Sequence, residues 1–204
     1  MRHLIPAIGD NIHFLEQGIE LLQSIDGATY TCKDASFGSG IGAHLRHCID
    51  HYESFLGDYR GDCIDYDHRK RDPRIEEDIS FASARLSSII DRLGQIGAQD
   101  MARTIDTKMD CGTPDPEPGA ASSVKRELQF LVSHTLHHYA LIALQLKQQN
   151  QDVQPGFGMA PSTVRFQAET SARETTVQET SVHETAQPPM DGVPTQESPA
   201  SCAP

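Results

Sequence analysis

LVSHTLHHYALIALQL, residues 131–146, sets two imidazoles one helical turn apart on an otherwise apolar stretch. His134 and His138 are i and i+4, so at about 3.6 residues per turn both rings project from the same side and can close on one ion. Leu128, Leu131, Thr135, Tyr139, Ile142 and Leu146 form the apolar line of this helix, with the two histidines on its shoulder and His137 pointing elsewhere. A second stretch, IGAHLRHCIDHY at residues 41–52, repeats the device with His44, His47 and His51. These three lie to one side of their own apolar centre, on the same rotational side as the pair on the later helix. Three neutral imidazoles meeting at such an edge suit zinc, nickel, iron or copper and leave coordination positions for water or substrate. A single histidine pair at this spacing is more often a boundary feature that half-buries a ring and wets one nitrogen. Two coincident clusters reverse that weighting, because close imidazoles without a metal disfavour one another's charged form.

The remaining segments supply the helices that such a site needs. Ile8, Ile12, Leu15, Ile19 and Leu22 form one apolar stripe on a first helix from about Leu4 to Ile25, with Pro6 in its first turn, Asp26-Gly27 at its end and His13 off the stripe and exposed. The second helix, capped by Ser39, turns Ile41, Leu45, Cys48, Ile49, Tyr52, Leu56 and Tyr59 inward and ends near Gly61. The segment from Tyr59 to Arg74 has no helical period and is too long for a tight hairpin, which makes it a crossover along the bundle. Pro73 then opens a third helix with Ile75, Ile79, Ala82, Leu86, Ile89, Leu93 and Ile96 at near-heptad spacing, weakened at Gly94 and Gly97. A loop rich in Pro, Gly and Ser follows, with a short extended piece at Thr104 to Met109, and Ser122 or Ser123 starts the fourth helix, which runs to about Gln149.

The expected architecture is therefore all-α: a four-helix bundle over residues 1–167. Residues 153–166 read as a non-helical arm across it. From Glu169 an Glu-Thr pair recurs every five residues, which spirals around a helix instead of making one face, and five prolines follow from Pro188. Residues 168–204 are accordingly expected to be a disordered low-complexity tail.

Composition narrows the function. A formal charge of -12 with no clustered basic face argues against a nucleic-acid partner. No run of about 18 apolar residues and no signal core appear, so the expectation is a soluble cytoplasmic protein with no membrane partner. The five cysteines form no CxxC pair, which points to reduced thiols and neither a zinc knuckle nor a disulfide framework. Cys48, on the core stripe, reads as a small hydrophobe and not a ligand. Tyr66, Arg69, Lys70 and Arg71 make the only local basic concentration, able to receive an anionic substrate group if not self-paired on the surface. Tyr139 reads as a core aromatic, and Glu127 as a charge favouring the helix N-terminus more than as a base.

LRHCIDHY on the second helix and HTLHHYALI on the fourth resemble the DinB-like (DinB/YfiT) superfamily, four-helix bundles in which one second-helix histidine and an HxxxH pair on the last helix hold a divalent metal. The resemblance covers residues 4–166. It implies an up-down-down-up helix order, which needs the long crossover already read between the second and third helices. Carried over by position, it implies His47, His134 and His138 as metal ligands, Asp50 as an outer partner of His47, and His137 as an extra histidine of the motif. The helical wheel alone favours His44 or His51 over His47, and His51 stands as the reserve ligand. Some relatives are thiol-dependent transferases or metal-dependent hydrolases, so the resemblance implies such chemistry on a small-molecule substrate, with zinc, nickel or iron and a low-molecular-weight thiol as cofactors, and a homodimer. The competing expectation is a non-enzymatic bundle for dimerisation or partner binding, its histidines structural or vestigial.

Overall fold

Helix α1 (Pro6–Ser24) starts on a proline, whose fixed φ suits a first helical position and whose missing N–H has no bond to lose there. In this computed structural model, which describes residues 4–33, 38–110, 112 and 119–184 and their side chains as far as Ala172, α1 buries Ile8, Leu15 and Leu22 of the expected stripe. His13 is exposed, as expected, whereas Asn11, Phe14 and Gly18 are buried beside the stripe. The polar connection after α1 contains a short helix, α2 (Gly27–Thr31), which periodicity is too brief to reveal; Asp26 caps it by accepting from the Thr29 N–H at 2.7 Å.

Helix α3 (Ile41–Asp58) buries all its expected core residues. Its N-cap is Gly40, with no side-chain hydrogen bond, so Ser39 is not the cap; its hydroxyl faces His44 instead. The expected third helix is broken in two, α4 (Arg74–Glu77) and α5 (Ile79–Leu93), because the Asp78 carboxylate accepts from the N–H groups of Ser80 and Phe81 at 2.8 and 3.1 Å and restarts the helix. Ser123 caps α6 (Val124–Gln148) by accepting from the Arg126 N–H at 3.3 Å.

The all-α expectation needs one amendment, a small three-stranded sheet in the order β1-β2-β3. β1 (Cys63–Asp65) lies in the crossover and pairs in parallel with β2 (Thr104–Lys108), the expected extended piece, while β3 (Gly119–Ser123) pairs antiparallel to β2 and leads into α6. The crossover is thus pinned by backbone hydrogen bonds to the segment just before the last long helix. Short, mixed-polarity strands such as Gly119–Ser123 carry too little alternation to be legible.

Four long helices share the core: α1 packs on α5 and α6, and α3 packs on the same two. Along α1 and α6 the contacts rise together, Asn11 meeting Leu128 and Gly18 meeting Tyr139. Gly18 permits that approach, since a Cβ there would lie 2.2 Å from the Tyr139 hydroxyl oxygen. Gly42 does the same for α3 and α4, where a Cβ would fall 2.5 Å from the Glu76 carbonyl oxygen. Asn11 is fully buried and ties three helices: its Nδ2 donates to the carbonyls of Ala7 and Leu128 at 2.7 and 3.0 Å, and its Oδ1 accepts from the Tyr52 hydroxyl at 2.8 Å.

Residues from Ser162 onward form a separate unit. Helix α7 (Pro161–Glu184) occupies positions where a non-helical arm and then a disordered tail were expected. Its sequence lacks an apolar stripe, and residues 161–169 are exposed, so the helix rests on the local propensity of its Ala, Arg, Gln and Glu residues. The rest of the expected tail, residues 185–204, lies outside the described residues. No helix among the described residues is long and apolar enough to cross a membrane.

Candidate metal centre

α3 and α6 meet along the edge that bears the histidines, with contacts running in opposite senses: His44 meets His138 near one end, and His51 meets His134 nearer the other. An i, i+4 ladder on one helix thus faces an i, i+4 pair on the other. The rings of His47, His134 and His138 are brought together, with centroid separations of 4.9 Å for His47–His134, 4.7 Å for His47–His138 and 4.8 Å for His134–His138. Between the last two, the Nε2 atoms approach to 3.1 Å.

His51, the reserve ligand, lies closer still to His47 and His134. Its ring lies 4.1 Å from that of His134, and one ligand atom from each of His47, His51 and His134 falls within 4.8 Å of the others. In this arrangement the Nδ1 of His51 lies 2.8 Å from the His47 carbonyl, which leaves its Nε2 for the cluster. His44 meets His138 through a 3.0 Å Nδ1···Nδ1 contact. His137 is exposed on α6 and takes no place among these contacts beyond an edge approach to the His138 ring.

Burial sets the charge of these rings. It pushes the pKa of His47 and His134 down to about 4 and that of His51 and His138 to about 3, and it lowers His44 as well. Neighbouring imidazoles add to the depression, and the Arg69 guanidinium contributes for His47, His51 and His134. All of them are therefore neutral near pH 7 and offer lone pairs. Two imidazole nitrogens bound to one ion at about 2.0–2.1 Å, at a tetrahedral angle, lie about 3.3 Å apart, close to the Nε2 spacing of His134 and His138. Neutral, half-buried nitrogen donors at this spacing fit a divalent transition metal.

Aromatic rings wall the cluster. Tyr66, from the crossover, stacks on His51 at 5.4 Å, and Phe130 stacks on His134 at 5.4 Å with the planes 13° apart. Tyr66 is held there by Glu127, whose carboxylate accepts from the Tyr66 hydroxyl at 2.8 Å and from the Ser122 hydroxyl at 2.5 Å. Glu127 is buried in the first turn of α6, the place expected of an acidic residue at a helix N-terminus, and it also braces the crossover against the start of that helix. Burial, followed by the Glu127 charge, raises the Tyr66 pKa, so the phenol stays a donor. No sequence signal pointed to this wall, since Tyr66 sits in a segment without period.

Asp50 does not serve His47. It is buried and accepts from Arg46 at 2.9 Å, one turn back on α3. Arg46 also pairs with Glu76 of α4, and Glu53 accepts from Arg85 and Arg92 of α5 at 2.5 and 2.8 Å. Asp50, Glu53, Arg85 and Arg92 border a cavity of about 670 Å³ that Arg69 and Lys70 also line and that none of the cluster histidines lines. Of the expected basic patch, Tyr66 is buried, Lys70 and Arg71 are exposed, and Arg69 is half-buried and donates from Nη1 to the Tyr66 carbonyl. Tyr139 is a core aromatic stacked on Phe157 at 4.7 Å, and burial pushes the Cys48 thiol up to about 12, which keeps it inert.

A model of the DinB superfamily matches residues 17–142, a span that includes both histidine clusters. No curated protein and no solved structure matches the chain.

Proposed function

The chain belongs to the DinB superfamily, and from that premise we propose that it binds one divalent transition metal through His47, His134 and His138, with His51 within reach as a fourth donor, and acts on a small molecule as a transferase or hydrolase. The observation that carries this reading is the 3.1 Å approach of the His134 and His138 Nε2 atoms beside the His47 ring, among imidazoles that burial keeps uncharged. Zinc, nickel and iron all suit such a donor set. When bound, the ion supplies Lewis acidity that makes a nucleophile of water or of a low-molecular-weight thiol at neutral pH.

The protein's own groups hold and shield the site. His134 and His138 come from one rigid helix, so their spacing is fixed before any ligand arrives, and α3 brings His47 against them. Tyr66 and Phe130 exclude water from the flank formed by His51 and His134. Arg69, held by its hydrogen bond to the Tyr66 carbonyl, places a positive charge near the imidazoles, where it favours an anionic substrate group or a thiolate.

Elemental analysis of protein purified without a histidine tag tests the reading. About one transition metal per chain is expected, as for other three-histidine sites. His134→Ala should lose the metal and His13→Ala should keep it. Equal retention by the two variants would reject the site.

A further inference from the structure

His44 stands one turn before His47 on α3 and touches the cluster only through His138. Its Nδ1 lies 3.0 Å from the His138 Nδ1. Its Nε2 lies 3.1 Å from the Ser39 hydroxyl and 3.4 Å from the Nε2 of Gln145. Gln145 is itself buried and donates to the Ser39 carbonyl at 2.9 Å, so the serine backbone and hydroxyl are both tied to this corner of the α3–α6 contact.

A contact between two uncharged imidazole nitrogens at 3.0 Å holds one proton, on one of the two rings. That proton decides what His138 can do at its far nitrogen. If His138 carries its hydrogen on Nε2, it donates across the 3.1 Å gap to His134, and neither nitrogen of the pair can jointly hold an ion. If it carries the hydrogen on Nδ1, the Nε2 lone pair is bare and points where the His134 lone pair points. The second form requires an acceptor at Nδ1, and the atom there is the Nδ1 of His44. His44 can accept only if its own hydrogen sits on Nε2, and of the two groups there Ser39 Oγ, not the Gln145 amide nitrogen, can take it.

We propose that His44 is a positioning residue: it accepts the Nδ1 hydrogen of His138, donates its own Nε2 hydrogen to Ser39, and so fixes His138 in the tautomer whose Nε2 binds the metal. The assignment rests on the metal-centre reading above. It gives the fifth histidine of the cluster a role without adding it to the ligand set, and it explains why the Ser39 hydroxyl, beside the Gly40 cap of α3, faces a ring instead of capping the helix. Outer partners of this kind orient a ligand ring and raise its basicity, and their loss usually weakens metal binding by about 10- to 100-fold.

The test is zinc affinity, measured by competition with a chromophoric chelator on the full chain, together with the ¹⁵N chemical shifts of His138 in the zinc-loaded protein. His44→Ala should bind zinc about 10- to 100-fold more weakly. His44→Asn, whose side-chain oxygen stands near the place of Nδ1 and can accept the same hydrogen, should recover most of the loss. The parent and His44→Asn should both show His138 as the Nδ1–H tautomer. A parent that takes up no zinc overturns the metal-centre reading and this assignment with it. A parent that binds zinc alongside a His44→Ala variant that binds as tightly overturns the His44 assignment alone. Should His44→Ala fail to fold, His44→Asn decides: an Nε2–H tautomer at His138 in the zinc-bound parent, or zinc binding by His44→Asn weakened by about 10- to 100-fold from the parent, refutes the proposal.

Discussion

Helix α3 handles polar side chains in opposite ways on its two flanks. Toward α6 it buries His44, His47 and His51, and burial removes their charge by proton loss. Toward α4 and α5 it presents Arg46, Asp50 and Glu53, which form ion pairs with one another and with Glu76, Arg85 and Arg92. Both devices limit the cost of burying a charge. They leave different residues of chemistry behind. Ion pairing consumes the donors and acceptors on the α5 flank, whereas the histidine flank sets uncharged imidazole nitrogens against one another, with Ser39, Gln145 and the His47 carbonyl at its margins. A metal centre needs the second kind of surface, and the first supplies a rigid back to it.

Acid should separate the two flanks most sharply. The folded histidines have pKa values of about 3 to 4, below the ordinary value of 6.5 that the unfolded chain recovers. Between those limits the unfolded state binds more protons, so stability is full above about pH 6.5 and falls as the pH drops toward 4. Thermal melts of the metal-free protein across that range should show a progressive loss of many degrees, and zinc should delay its onset. A flat profile would mean that the imidazoles are not buried as described.

Changing the back of α3 should cost less. Gly42→Ala sets a methyl group against the backbone of Glu76, which cannot move away as a side-chain tip could, and overpacking of this kind costs about 1–3 kcal/mol in a denaturant titration. Smaller still is Glu53→Gln, which removes the carboxylate shared by Arg85 and Arg92. Those arginines are partly exposed, so about 1 kcal/mol is expected, and raising the salt concentration should shrink the difference from the parent. Metal content should be unchanged in both variants. If Glu53→Gln lowered it, the two flanks would not be independent.

The long helices and their buried stripes were legible because Ile8, Leu45, Leu86 and Leu131 repeat at helical spacing over many turns. The convergence of the two histidine clusters was legible for the same reason, since rotational phase follows from position in a helix. Which histidines approach most closely was not, because that depends on the axial offset of α3 against α6, and periodicity carries no information about offset. Asp50 shows a second limit. The resemblance implied it as a partner for His47, but Arg46 at i−4 reaches it first. Tyr66 and the sheet residues are long-range choices, set by the pairing of the crossover with β2, and no local pattern announces them.

The amide of Asn11 has a consequence for that offset. Its hydrogen bonds to the Leu128 carbonyl and from the Tyr52 hydroxyl tie α1 to α6 and to α3 at one height, and sliding either partner past α1 by a single residue would break the bond that joins them. A leucine in its place would fill the volume and leave the Leu128 carbonyl and Tyr52 hydroxyl without this partner, so the interior would no longer distinguish one vertical setting from the next. The imidazoles would then meet only on average. For the proposed metal site, selectivity for one ion, which depends on fixed distances between donors, would thus be guarded from the far side of the core by a residue that never approaches it.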